Sequence, residues 1–173
     1  MLPRTAVAMC SSALRGDHDQ YEELSADIWC EAIKAANILT NHHPVTANQR
    51  KLGISPIEEQ SGGRIVSEEY LKGLPAFGTL VYGFTPKRLR EGKLSARSFK
   101  AIFLSRDEYT EGTFRVMPFE SRDGKWVLHK TVRVGKFLTA DNVFPLRANP
   151  ENEASSQRCD EAWEKIFSKR EEA

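Results

Sequence analysis

Leu74-Pro75-Ala76-Phe77-Gly78-Thr79-Leu80-Val81-Tyr82, followed after a basic connection by Phe99-Lys100-Ala101-Ile102-Phe103-Leu104, decides the fold. Both runs are short and rich in the branched and aromatic residues that suit a pleated, half-buried surface. With similar runs further on they predict five strands, at 77–84, 99–104, 113–117, 126–134 and 142–144. The intervals carry turn chemistry: Thr85-Pro86, Glu91-Gly92, Glu111-Gly112 and Arg122-Asp123-Gly124, the last a tight-hairpin signal. Five short strands joined by polar loops predict a small antiparallel barrel, SH3-like or OB-like.

Upstream, the pattern is helical. Val7, Met9, Ala13 and Leu14 form a weak stripe that Gly16 stops. Arg4 ahead of Ala6-Val7-Ala8-Met9-Cys10 has the outline of a targeting peptide, but Ser11 and Ser12 interrupt its short apolar core, so a helix is expected instead. Ser25 is placed to cap a second helix, with Asp27 in the first turn. Trp29, Ala32, Ile33, Ala36 and Leu39 then recur at helical spacing, with Glu31 and Lys34 off the stripe. Pro44 ends this helix at His42-His43, because a proline disfavours helical geometry before it. Adjacent side chains on an ending helix diverge, so the histidine pair is read as surface or supporting residues and no metal site or cofactor is expected. Ser55-Pro56-Ile57-Glu58 opens a third helix as a capping box, and Gly62-Gly63 closes it. The pairs Glu22-Glu23, Glu58-Glu59 and Glu68-Glu69 are read as solvated faces and caps, since neighbouring carboxylates do not face one metal.

Charge divides the chain. Its 173 residues carry a net charge of +1, yet residues 75–148 hold 14 Lys and Arg against 7 Asp and Glu, while both flanks are acidic. That confinement favours a module with a polyanion-binding face. Cys10, Cys30 and Cys159 are odd in number and lack ligand spacing, which reads as reduced thiols in an intracellular protein. No apolar run approaches the ~20 residues of a membrane helix.

The block 74–104 with Glu111-Gly112-Thr113-Phe114-Arg115-Val116 resembles the SH3-like domain that follows the integrase core in Copia-type (Pseudoviridae) retrotransposon polyproteins. The shared features are the Phe77-Gly78 and Tyr82 of the first run, Lys93-Leu94 and Arg97-Ser98 before Ile102-Phe103-Leu104, and Asn142-Val143-Phe144 as closing strand. Upstream, Leu24 to Ala32 resembles the family's Trp-x-Glu-Ala helix, Ala35 to Pro44 the segment after it, and Ser55-Pro56-Ile57-Glu58 its Thr-Pro-x-Glu. Thr79, Ser105-Arg106 and His42 depart from the family, standing where Cys, Gly-Tyr and Arg are usual. The resemblance implies α+β architecture: the helical end of an integrase core over 1–72, an SH3-like barrel over 73–146, and a linker with a terminal helix over 147–173. It also implies that the catalytic Asp, Asp and Glu, which hold two metal ions in the family, fall before Met1, so no catalysis is expected of this chain.

Six cations, Lys87, Arg88, Arg90, Lys93, Arg97 and Lys100, surround one connection and form the candidate nucleic-acid-binding set. Such a loop follows a DNA or RNA backbone weakly and without sequence preference, each neutralised phosphate releasing counterions. Tyr82, Phe84 and Trp126 would stack bases if exposed, and are expected in the barrel interior. Cys159, Ala162, Trp163, Ile166 and Phe167 predict an amphipathic helix at 159–167, a candidate protein-docking element. An intracellular, nuclear location fits this reading. The competing expectations are a peptide- or chromatin-tail-binding module and a relic without function.

Overall fold

The computed structural model describes residues 2–14, 20–63, 67–85, 97–140, 142–147, 160–162 and 164. Helices come first, as expected. Helix α1 (Leu2–Leu14) buries Ala6, Cys10, Ala13 and Leu14 along one face, while Val7 of the expected stripe is exposed. Helix α2 (Tyr21–Asn41) starts before the expected cap: Gln20 holds the N-cap position, and Ser25 hydrogen-bonds Cys10 instead. Its buried face is Leu24, Ile28, Glu31, Ala32, Ala35, Ala36 and Ile38, rotated from the expected stripe so that Ile33 is exposed and Glu31 is inside.

Three short helices follow: α3 (Ala47–Leu52), α4 (Pro56–Ser61) and α5 (Ser67–Leu71). The capping box read at Ser55 is present, with Glu58 N–H donating to Ser55 Oγ and Ser55 N–H to Glu58 Oε2, and Gly62 takes the left-handed C-cap. A second box at Thr46 and Gln49 starts α3.

The sheet has six antiparallel strands: β1 (Leu80–Phe84), β2 (Ser98–Arg106), β3 (Phe114–Arg122), β4 (Lys125–Leu128), β5 (Val132–Val134) and β6 (Phe137–Thr139). The order is β4-β3-β2-β1-β6, with β5 also on β3. The protein is therefore α+β, with helices preceding an antiparallel sheet. No ladder closes the sheet into a ring among the described residues. Segment 132–139 instead bridges the gap, pairing β3 through β5 and β1 through β6.

The strands differ from expectation in several places: β1 begins at Leu80 and not at Phe77, β3 runs on to Arg122 and does not end at 117, and two further differences have a visible cause. The run 126–134 divides opposite Pro118: His129 N–H donates to the Pro118 carbonyl at 2.9 Å, but proline has no N–H to return, and the ladder is interrupted there. The residues 142–144 are not a strand. Asn142 has φ +63, Val143 O accepts from Leu80 N–H at 2.7 Å, and a 3-10 turn follows at Pro145–Arg147. Among the described residues the last strand is β6.

Alternation along the strands builds two cores. Leu80, Tyr82, Ile102, Leu104, Met117, Phe119 and Trp126 join the buried faces of α1 and α2 in the larger one. Val81, Ala101, Phe103, Val116 and Val134 fill the other, capped by Phe114 and Phe137. Gly78 stands where α1 meets the sheet. At φ +83, a Cβ there would lie 2.4 Å from Ala13 Cβ, so only glycine fits.

Polar contacts fasten helix to sheet. Arg115 of β3 reaches both oxygens of Glu31, at 2.8 and 2.7 Å, and Lys34 reaches one at 3.0 Å. The Gln20 amide accepts from Trp126 N–H at 2.7 Å and donates to Trp126 O, occupying the free edge of β4 as a neighbouring strand would. Among the expected terminal-helix residues, Asp160, Glu161, Ala162 and Glu164 are helical, and Ala162 packs on the larger core.

Candidate nucleic-acid interface

Strand register decides which cations meet. Gly83 faces both Phe99 and Phe137, and Arg122 faces Lys125, so Phe84, Ser98, Phe137 and the β3–β4 hairpin lie at one end of the sheet. Thr85 N–H donates to Arg97 O at 3.0 Å, and Phe84 N–H to Lys136 O at 3.3 Å. Arg97 and Lys136 thereby flank the point where β1 ends. The hairpin places Lys125 at the same end, because Asp123 and Gly124 take positive φ, 51 and 70, and close it in two residues.

Arg97, Lys125 and Lys136 are exposed, and none has a carboxylate within ion-pair distance among the described residues. Lys100 is different: its Nζ lies 2.9 Å from Asp160 Oδ1, with side-chain exposures of 40% and 62%. The expected cation is therefore neutralised by the terminal helix. Arg122 at this end pairs with Glu120 at 2.6 Å. Of the six cations expected from sequence, Lys87, Arg88, Arg90 and Lys93 lie outside the described residues. The two ends of their connection are the hydrogen-bonded Thr85 and Arg97.

Lys125 and Lys136 were not in the expected set. They are isolated in sequence, and only the hairpin and the start of β6 bring them to the end of the sheet that holds Arg97. At the opposite end of the sheet the β2–β3 connection carries Asp107, Glu108 and Glu111, with Asp107 inside and 3.1 Å from Arg133.

The aromatics follow the interior expectation in two of three cases. Tyr82 is fully buried and Trp126 packs edge-on against Phe119, while Phe84 is half-buried. Among the described residues, no fully exposed aromatic accompanies the cations; Tyr109, the exposed one, is at the acidic end. Phosphate contact, not base stacking or an aromatic cage, is what this end can offer.

His42, whose neighbour His43 faces elsewhere, closes a buried polar cluster. Its Nδ1 lies 3.0 Å from Ser67 Oγ, which is 2.6 Å from Ser55 Oγ, and its ring stacks on Tyr70. Burial holds this imidazole below its ordinary pKa, and nearby His43 and Arg106 act in the same direction while Glu58 opposes. The arrangement joins the end of α2 to α4 and α5. No helix among the described residues is long and apolar enough to cross a membrane. No family model, curated protein or solved structure matches the chain.

Proposed function

We propose that the chain is the non-catalytic carboxyl-terminal part of a Copia-like retrotransposon integrase. Its activity on this reading is weak, sequence-independent binding of a DNA or RNA backbone through the cationic end of the sheet. In an intact element this would help position DNA for integration, in the nucleus.

One observation carries the binding reading: Arg97, Lys125 and Lys136 stand unpaired among the described residues at the end of the sheet from which the Lys87-to-Lys93 connection departs. Cations on one surface add phosphate affinity without reading sequence. A groove for peptides would want exposed aromatic residues there, and the described residues supply none. The integrase origin rests on the ordered motif resemblance.

The test is a gel-shift titration at low and moderate salt with the parent and with a triple charge reversal of Lys87, Arg88 and Arg90 to Glu. Loss of the shift in the variant is expected. Equal binding by the two proteins would remove the nucleic-acid reading.

A further inference from the structure

Two contacts fix where the terminal helix lies. Lys100 stands opposite Tyr82 in the ladder of β1 and β2, two residues in from the end where Phe84 faces Ser98. Alternation puts its side chain on the side of Ile102 and Leu104, which face the helices. Asp160 Oδ1 meets Lys100 Nζ at 2.9 Å, and Ala162 packs on the larger core that Ile102 and Leu104 share. The described residues of the terminal helix, 160–162 and 164, therefore lie over β2 just inside the cationic end.

This segment is acidic. Asp160, Glu161 and Glu164 are all exposed, and Asp160 and Glu164, four positions apart on a helix, share a face. Residues 149–173 as a whole carry 7 Asp and Glu against 4 Lys and Arg. Water reaches both members of the Lys100 and Asp160 pair, so the pair adds little to the stability of the fold. Its effect falls on binding instead. A phosphate gains from Lys100 only what remains after Asp160 is displaced from it, and a carboxylate within about 10 Å of an approaching phosphate repels it at 0.1 M salt.

We propose that the acidic terminal helix is an autoinhibitory element. It occupies Lys100 and holds carboxylates beside the cationic end, so the full chain meets nucleic acid with one cation fewer than its basic block supplies. The inference rests on the phosphate-binding reading and deepens it: the weakness of that binding is set within the chain, by a segment that stands in for the phosphate.

Three full-length proteins are titrated into labelled duplex DNA by fluorescence anisotropy over a range of salt: the parent, the variant Asp160→Asn with Glu161→Gln and Glu164→Gln, and that variant with Lys100→Gln added. The three acids are exposed, so their amides leave the fold in place, which circular dichroism verifies. The triple variant is expected to bind about eightfold more tightly at 0.1 M salt, the worth of one further released counterion, with a slope of log Kobs against log salt steeper by about 0.9. Adding Lys100→Gln should remove the steepening and most of the gain. Equal affinity and slope for the parent and the triple variant would overturn autoinhibition and leave the phosphate-binding reading standing. A gain that survives Lys100→Gln undiminished would overturn the masking of Lys100. No binding by any of the three proteins would remove both the inference and the reading beneath it.

Discussion

Replacing Glu31 by Ala strips the buried link between α2 and β3. The Glu31 and Arg115 side chains are 10% and 19% exposed, so both charges are largely out of water, and removing one leaves Arg115 without its carboxylate. Losing one partner of a fully buried pair costs about 3–5 kcal/mol; the residual solvent access here lowers that to about 2–3 kcal/mol. For a chain of this length each kcal/mol moves Tm by about 2–4 °C, so circular-dichroism melting should fall by roughly 5–10 °C. Glu31→Leu combined with Arg115→Met replaces both charges by apolar groups and should regain most of the loss, giving a coupling energy above ~1 kcal/mol in the double-mutant cycle. If Glu31→Ala costs less than ~0.5 kcal/mol, or the double variant loses the sum of the singles, the pair does not fasten helix to sheet.

Three further outcomes follow from particular contacts. Gly78→Ala should destabilise by about 2–4 kcal/mol in urea unfolding, since it adds left-handed strain to a clash with Ala13; a loss below ~1 kcal/mol would contradict the close approach of α1. His42 has its folded pKa below the ordinary value of about 6.5, so the fold favours the neutral ring: stability is full above that pH and declines as pH falls through it toward the lower folded pKa. Melting from pH 8 to 5 should show that decline in the parent and not in His42→Gln. Glu58, whose carboxyl is held below its ordinary value by hydrogen bonds from Ser67 and Ser55, loses its contribution only at lower pH, which separates the two. Asp160→Asn removes the acid beside Lys100 and should strengthen DNA binding a few-fold in fluorescence anisotropy; unchanged binding would place Lys100 outside the interface.

The features legible in the sequence were local. Ser55-Pro56-Ile57-Glu58 and Asp123-Gly124 are specified by their own backbone requirements, and both formed as read. Helical spacing reports apolar positions and leaves Glu31 off the stripe, because its partner Arg115 is 84 residues away. The role of Gln20 is likewise invisible locally: its amide serves Trp126, 106 residues on. The missed β6 is three residues long, too short for an alternation signal, and it exists because β1 offers an edge. Pro118 broke the 126–134 run from the opposite strand, which no reading of 126–134 alone would show. The binding surface follows suit: the cluster of cations was visible in sequence, but Lys125 and Lys136 join it only through register.

The salt dependence of DNA affinity tests the central claim most directly. If Lys87, Arg88, Arg90, Lys93 and Arg97 together with Lys125 and Lys136 contact phosphates, log Kobs against log salt for duplex DNA should be linear with a slope of about −6, at roughly −0.9 per phosphate neutralised. Arg97→Glu with Lys136→Glu should make that slope shallower by about 2. A slope near zero, or no binding in low salt, would contradict a phosphate-binding function.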